Sequence, residues 1–418
     1  MSDSTSADEK YGWVPSPNGR GTLDIIWSCI LVLVTCTWTV LHINVPEPDE
    51  AFGSKMLRKL RWAVWTIFAP EDVMLAAALH WTSARISKRE MNSAGISDWT
   101  IAHGFLADSG GFMLRTPDFP PFPVNSRGVL YLVTKNYIEV PTVTKAQIED
   151  SSKSDRLGKT VALTQSIYLV CQVIGRAVQG LEVTCLEILT LAYLNCALPT
   201  YYFWLNKPLD REVPIYIDME VPISTVLREA GDIAAHQYRD TPLDFVEQPG
   251  WAAWRRRQRF SHFFGLTKRP LRRVPNDYVC LPSFWVAVST WFFTTTHSAI
   301  HLAAWNSDLP SQAEAYLWKA SAICLLAILF SSGIVGVISL TPGFDYTITT
   351  LGIWEKRTTK PSAWHDWAID GPGTLASILY FMAKTVLLVL SFTTLRWMPA
   401  SAFKTVEWAD FLPHCWKQ

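Results

Sequence analysis

Charge is scarce in this chain. Of its 418 residues only 18% are Asp, Glu, Lys or Arg, against about 25% in an average soluble chain. Basic and acidic residues number 37 each, so there is no cationic excess to suggest nucleic acid as a partner. The eight cysteines form no CxxC pair, and no P-loop, GxSxG, GxGxxG or zinc-ligand set is present. These absences remove the usual sequence grounds for nucleotide binding, for hydrolase chemistry and for a metal centre, and the reading carries no metal and no cofactor. An internal repeat is also missing, which weakens a standard transporter reading.

Hydrophobic residues are plentiful at 49%, with 20 Trp and 20 Phe. They fall in long runs, and these predict an all-α polytopic transmembrane helix bundle of seven or eight spans. Residues 1–20 read as a polar, disordered tail and 398–418 as a C-terminal tail. Between them lies a transmembrane domain, 21–397, with extramembrane loops at 116–158 and 207–282. The first run, Asp24 to Val45, starts too late for a cleaved signal peptide and reads as a retained anchor. Further spans are Trp62–Trp81, Lys159–Arg176, Leu181–Trp204, Ser283–Trp305, Leu317–Leu340 and Thr374–Arg396. The segment Asp98 to Leu114 reads as a span, a re-entrant segment or a surface helix, and decides between seven and eight. In the first loop, VLYLVTKNYIEVPTV shows short β-like runs, and Trp364, His365, Asp366, Trp367 and Asp370 crowd a later loop. Arg255, Arg256, Arg257, Arg259, Lys268, Arg269, Arg272 and Arg273 assign 207–282 to the cytosol. Multi-pass residence in the endoplasmic reticulum follows, with the lipid bilayer as partner; the oligomeric state is not encoded in any visible pattern.

The chemistry concentrates where apolar runs are interrupted. The stretch WAVWTIFAPEDVMLAAALHW, residues 62–81, carries Pro70, Glu71 and Asp72 at its middle. Two adjacent carboxylates do not both ionise readily in a poorly solvated site, so one is expected to hold its proton and serve as a donor. The competing reading is local: Pro at a first helical position and acids in the first turn restart a broken helix. Asp108, beside His103 in the glycine-containing segment, and Glu187, deep in its span, are the next candidate acids. Trp65 is a candidate aromatic wall. His297 and His301 stand at i and i+4 on one helical face. Without HExxH or a third ligand they read as pocket-lining or helix-bonded neutral histidines. Lys384, inside the last span, is expected to snorkel or to meet a buried acid.

The block GTLDIIWSCILVLVTCTWTVLHINVP, with APED, DWTIAHGFLADSGGFML and WHDWAIDGPG, resembles a family of fungal multi-spanning integral membrane proteins, from Gly21 to about Arg396. In size and character the chain is also similar to membrane-bound terpene cyclases of meroterpenoid biosynthesis, of the macrophorin and ascochlorin type. That resemblance implies a lipophilic prenylated small molecule as substrate and an isomerase reaction, cyclisation by metal-independent protonation, in secondary metabolism. Such chemistry needs one acid kept neutral by burial, aromatic faces around a carbocation and a weak base. Glu71, Asp72, Asp108 and Glu187 are the acids on offer. The residues are equally compatible with a transporter or exporter of a lipophilic metabolite, or with a structural or sensing membrane protein.

Overall fold

The computed structural model describes residues 10–16, 19–150, 155–209, 211–235, 238, 240–246, 270–276, 283–338, 340 and 363–408. Short β1 (Lys10–Tyr11) precedes α1 (Thr22–Val40), α2 (Phe52–Phe68), α3 (Pro70–Ser93) and α4 (Ile101–Asp108). A hairpin of β2 (Phe112–Thr116) and β3 (Phe119–Pro123) leads to α5 (Ser126–Thr134), α6 (Lys145–Asp150), α7 (Asp155–Val178) and α8 (Cys185–Phe203). Then come β4 (Ile215–Asp218), α9 (Ile223–Ala230), α10 (Phe284–Ile300), α11 (Gln312–Ile338), α12 (Ala363–Thr393) and β5 (Met398–Pro399). The chain is mostly helical, but the all-α expectation is corrected by two small sheets. Among the described residues four helices are long and apolar enough to cross a membrane: Thr22–Val40, Leu157–Val178, Gln312–Ile338 and Gly373–Arg396. The α2–α3 pair makes a fifth if it counts as one span.

That pair is not a straight helix. It bends by 112° at its break. Pro70 is the physical cause: its ring disfavours helical backbone at the residue before it, and Ala69 sits at φ −133°, ψ 66°. The Ala69 N–H closes α2 on Trp65 O at 2.7 Å, and Pro70 opens α3 where no N–H is required. The helix-restart reading of Pro70-Glu71-Asp72 therefore describes the backbone.

Two compact units divide the chain. The first comprises Met1–Cys36, Val161–Ala197 and Ala287–Gln418. Its apolar core joins Ile25, Cys29 and Val32 of α1, Leu169 of α7, Tyr193 of α8 and Met398. Neither terminal segment is wholly a loose tail. β1 pairs antiparallel with β5, Lys10 opposite Pro399 and Tyr11 opposite Met398. Arg176, 0% exposed, gathers the chain behind β5: its guanidinium donates to Glu182 O, Ser401 O, Ala402 O and Lys404 O at 2.7–3.0 Å. α11 and α12 form an extensive helix pair. Gly333 of α11 lets Trp291 of α10 approach; a Cβ there would lie 2.0 Å from the indole Cδ1, whereas Gly336 faces open space.

The second unit, Thr37–Thr160 and Leu198–Val286, contains parts of both long loops. Strand order is β3-β2-β4, with β2 antiparallel to β3 and parallel to β4. Parts of the two segments read as extramembrane loops thus share one sheet and one core, built on Trp99, Leu106, Phe112, Phe122, Val129 and Val226. VLYLVT is not β-like but the body of α5. Asn125 caps it, accepting the Gly128 N–H at 2.8 Å, and this local bond outweighs the β-branched composition. The segment 98–114 is no helical crossing: α4 has eight residues and leads into β2. Gly104 of α4 crosses Ala84 of α3 so closely that a Cβ would lie 2.9 Å from its backbone. Trp364 to Asp370 fall within α12 rather than a loop. Arg255, Arg256, Arg257, Arg259, Lys268 and Arg269 lie outside the described residues.

Candidate functional site

The predicted acids divide between the two units. Glu71 is 2% exposed in the first turn of α3, while Asp72, its neighbour, is exposed. Consecutive helical positions point about 100° apart, and here one acid is buried and the other is not. Trp65 is half-buried and packs on an apolar cluster with Leu41, Val73, Ala77, Phe203 and Trp204.

Asp108 ends α4. Its carboxylate accepts the Ser83 hydroxyl at 2.6 Å and the Ser126 N–H, at the start of α5, at 3.0 Å. Burial of the carboxyl raises its pKa above the usual carboxylate range, and those hydrogen bonds oppose the rise. His103 is committed to structure: Nδ1 accepts the Thr100 N–H at 3.1 Å and Nε2 reaches Val143 O at 2.6 Å. It completes a capping box in the place usually held by Glu or Gln.

In the first unit Glu187 is also a capping group. It accepts both the N–H and the hydroxyl of Thr184 at 2.9 Å and pairs with Arg20. Both carboxylate oxygens are thereby engaged at the start of α8, which favours a structural role over proton donation. His297 directs Nδ1 to Ala192 O at 2.8 Å, and its Nε2 receives the Lys384 ammonium. Lys384 thus meets a histidine here. His301 turns Nδ1 back to His297 O at 3.0 Å, and Trp318 Nε1 donates to His301 O at 3.0 Å. Each histidine has spent one ring nitrogen on backbone.

A second cluster, largely unread in the sequence, surrounds a small void in the second unit. Trp204, one residue past α8, is its centre. The His80 ring stacks on the indole at 6.0 Å and 22°, His42 meets it at 5.6 Å, and Lys207 Nζ lies 4.8 Å from its centroid. These four side chains line the void together with Trp62 and Asn276. A turn positions the lysine, with Lys207 N–H donating to Trp204 O at 3.0 Å. Lys207 is 4% exposed and donates to Asn44 Oδ1 at 2.9 Å. Asn44 is fixed in turn by Pro275 O at 3.0 Å and Asn276 Oδ1 at 2.9 Å. His42 Nε2 faces the Lys159 ammonium at 3.1 Å, which can only donate; Nδ1–H therefore donates to Val40 O at 2.8 Å. Burial, then Lys159, hold the His42 pKa well below its usual value.

Burial pushes the Lys207 pKa down to about 7, and the Asp108 carboxylate works against that shift. Below pH 7 folded and unfolded chains both hold the proton, and the cost of burying it is present in full. Between about 7 and the ordinary 10.5 the unfolded chain binds a proton that the folded chain does not, so stability rises with pH. Lys207→Met removes this contribution. The difference in thermal midpoint between variant and wild type is expected to change steadily from pH 7 to pH 10; a pH-independent difference would show that Lys207 does not titrate in this range.

The family described as "Family of unknown function (DUF8562)" matches residues 1–228 and 286–415. The chain belongs to this family. No curated protein and no solved structure matches it. The matched segments hold Glu71, Asp108, Glu187, Lys207 and His297, whereas Pro275 and Asn276 fall in the unmatched interval. Trp204 and Lys207 escaped the sequence reading because WLNK at the end of an apolar run looks like an interface anchor. The available signal was HINV after α1, a His and an Asn set between apolar residues at the end of an apolar run.

Proposed function

We propose that the chain is an integral membrane enzyme that cyclises a lipophilic prenylated substrate by proton-initiated carbocation chemistry. The observation that carries the proposal is Glu71, a carboxyl 2% exposed at the corner between α2 and α3. The apolar cluster around α3 offers aromatic faces from Trp62, Trp65, Trp81, Phe203 and Trp204. A general acid contributes most when its proton is delivered in a site from which water is excluded. Aromatic faces stabilise a cation that no counter-ion follows. In this scheme Glu71 protonates a terminal epoxide or olefin, and a weak base takes the last proton. Asp108, whose pKa burial raises, is a further candidate carboxyl in the same unit.

The finer membrane arrangement belongs to the same proposal. α8, with 19 residues, and α10, with 17, cross as well, giving seven spans when α2 and α3 count as one. The protein resides in the endoplasmic reticulum with the 207–282 segment in the cytosol. An N-glycosylation acceptor inserted beside Asp240 is expected to stay unmodified; glycosylation there reverses the orientation.

The test of function is product analysis. Microsomes containing the protein are incubated with a farnesylated phenol and with its terminal epoxide. A new cyclised isomer of unchanged mass supports the proposal. A competing reading, export of a lipophilic metabolite, draws on the broken α2–α3 pair, since discontinuous helices carry sites in transporters. It predicts substrate movement across sealed vesicles without a new product.

A further inference from the structure

The count of seven spans holds only when α2 and α3 count as one crossing. We propose that they do not cross: the pair is a re-entrant elbow that enters and leaves on one side of the bilayer, and α2 lies along the lipid surface. The proposal takes the other six helices as arranged above and leaves the cyclase chemistry as it stands.

The two ends of the elbow are tied to each other. Ahead of α2, the Val45 N–H donates to Ser109 O at 3.0 Å. The only helix between α3 and Ser109 is α4, with eight residues. That is about 12 Å of helix, against roughly 30 Å of hydrocarbon, so α4 cannot bring the chain back across. A crossing by α2–α3 would leave Val45 and Ser109 on opposite faces. The same approach to α2 is bonded further along the second unit: Asn44 Oδ1 to the Lys207 ammonium at 2.9 Å, Asn44 N–H to Asn276 Oδ1 at 2.9 Å, and Glu47 to Arg272 at 3.0 Å. β2, which follows Ser109, pairs with β4 in that later stretch. A second observation is independent. β1, ahead of α1, pairs with β5, behind α12. Paired strands share one face of the membrane, so the helices between them cross an even number of times. Six crossings, by α1, α7, α8, α10, α11 and α12, satisfy this, and a seventh does not.

The pattern of α2 says what it rests on. Leu57, Leu60 and Val64, three and four residues apart, are exposed, while Arg58 and Thr66 on the opposite face are buried. Arg58 pairs inward with Glu50 at 3.0 Å. Apolar outside and polar inside reverses the order of a helix bathed in water, and suits acyl chains. The Lys59 ammonium lies 4.5 Å from the ring centroid of Trp38, near the end of the α1 span, where indoles mark the membrane interface. Lys59 and the exposed Arg61 are thereby placed for the phosphates of lipid headgroups. The 112° bend then turns α3 away from that surface.

The experiment uses the full chain in sealed microsomes. Ala51→Cys and Ser93→Cys place thiols at exposed positions, one just before α2 and one at the end of α3. Each variant is treated with a membrane-impermeant maleimide before and after permeabilisation, and wild-type labelling is subtracted. The two thiols are expected to behave alike. Both are labelled in intact vesicles if the orientation proposed above holds, and both wait for permeabilisation if that orientation is reversed. One thiol labelled and the other protected would show a crossing and overturn the proposal. Pro48→Cys and Asn92→Cys, also at exposed positions, repeat the comparison should either first variant fail to accumulate. The lipid contact is read separately from a nitroxide on Leu60→Cys in reconstituted vesicles. Collisions with oxygen are expected to exceed those with a water-soluble nickel complex, at a depth just beneath the headgroups. Dominant nickel collisions would put α2 in water, and a depth at the bilayer centre would make it part of a span; either overturns the surface assignment.

Discussion

Under the proposed cyclase mechanism, Glu71→Gln is expected to lower turnover by at least about a hundredfold, the low end of what a positioned general acid contributes, while the protein still accumulates in the membrane. Glutamine keeps the shape of the side chain and much of its hydrogen bonding, but its amide cannot deliver a comparably acidic proton. Asp72→Asn is expected to leave turnover within a few-fold of wild type, because Asp72 is exposed while Glu71 is buried. This contrast separates the chemistry from helix initiation. Both acids occupy the first turn of α3 and complement its dipole, a contribution of roughly 0.3–1 kcal/mol each. If they served only to start the helix, the two amides would behave alike, with lower protein levels and unchanged specific activity. Turnover of Glu71→Gln equal to wild type per unit of folded protein would remove Glu71 from the mechanism. Product formation itself is the wild-type control, so loss in the variant cannot be mistaken for absence of the activity.

The largest expected effect on stability is at Arg176. Its planar guanidinium makes five hydrogen bonds to four backbone carbonyls, three of them in the segment after β5. Hydrogen bonds to a charged group contribute roughly 1.5–3 kcal/mol each, and an orphaned buried acceptor carries its own desolvation cost. Arg176→Met is therefore expected to lower the midpoint of thermal unfolding by well over ten degrees, or to prevent accumulation altogether. Arg176→Lys keeps the charge without the fork, cannot reach all four carbonyls, and is expected to fall between the two. A second readout localises the effect: in Arg176→Lys, limited proteolysis is expected to cut first near residues 401–404. A lysine variant as stable as wild type, with that segment equally protected, would show that the charge rather than the fork holds it.

Several features could be read directly from the residues. α1, α7, α11 and α12 follow long apolar runs, and their existence needs no tertiary information. The corner at Ala69 was also legible, because proline acts on its immediate neighbour whatever surrounds it. Asp24, at the start of the first apolar run, lies in the first turn of α1, and its carboxylate accepts the Gly21 N–H at 2.8 Å. The β-structure was not legible. β2 pairs with β4 about a hundred positions later, and strands that depend on a distant partner carry only a weak local signature. For the same reason the proline-rich FPPFP did not look like a strand, yet it pairs with β2, with a register irregularity between Leu114 and Thr116.

Composition and pattern determined that this chain is a mostly helical protein with several helices fit to cross a membrane, broken at Pro70. Hydrophobic run length and proline sterics act locally and survive any packing. The roles of the polar residues were decided only by tertiary structure. Glu187 looked like a buried acid and became a cap with an ion pair, because Thr184 and Arg20 are brought to it. His103 stood in the sequence only as the neighbour of a candidate acid and became a cap, its far nitrogen bonded to Val143 O. Lys207 looked like the first residue of a loop and became a buried ammonium stacked on Trp204, because Asn44, far away in sequence, supplies its acceptor. A polar side chain in an apolar setting must find a partner, but the sequence does not name that partner; only the fold does.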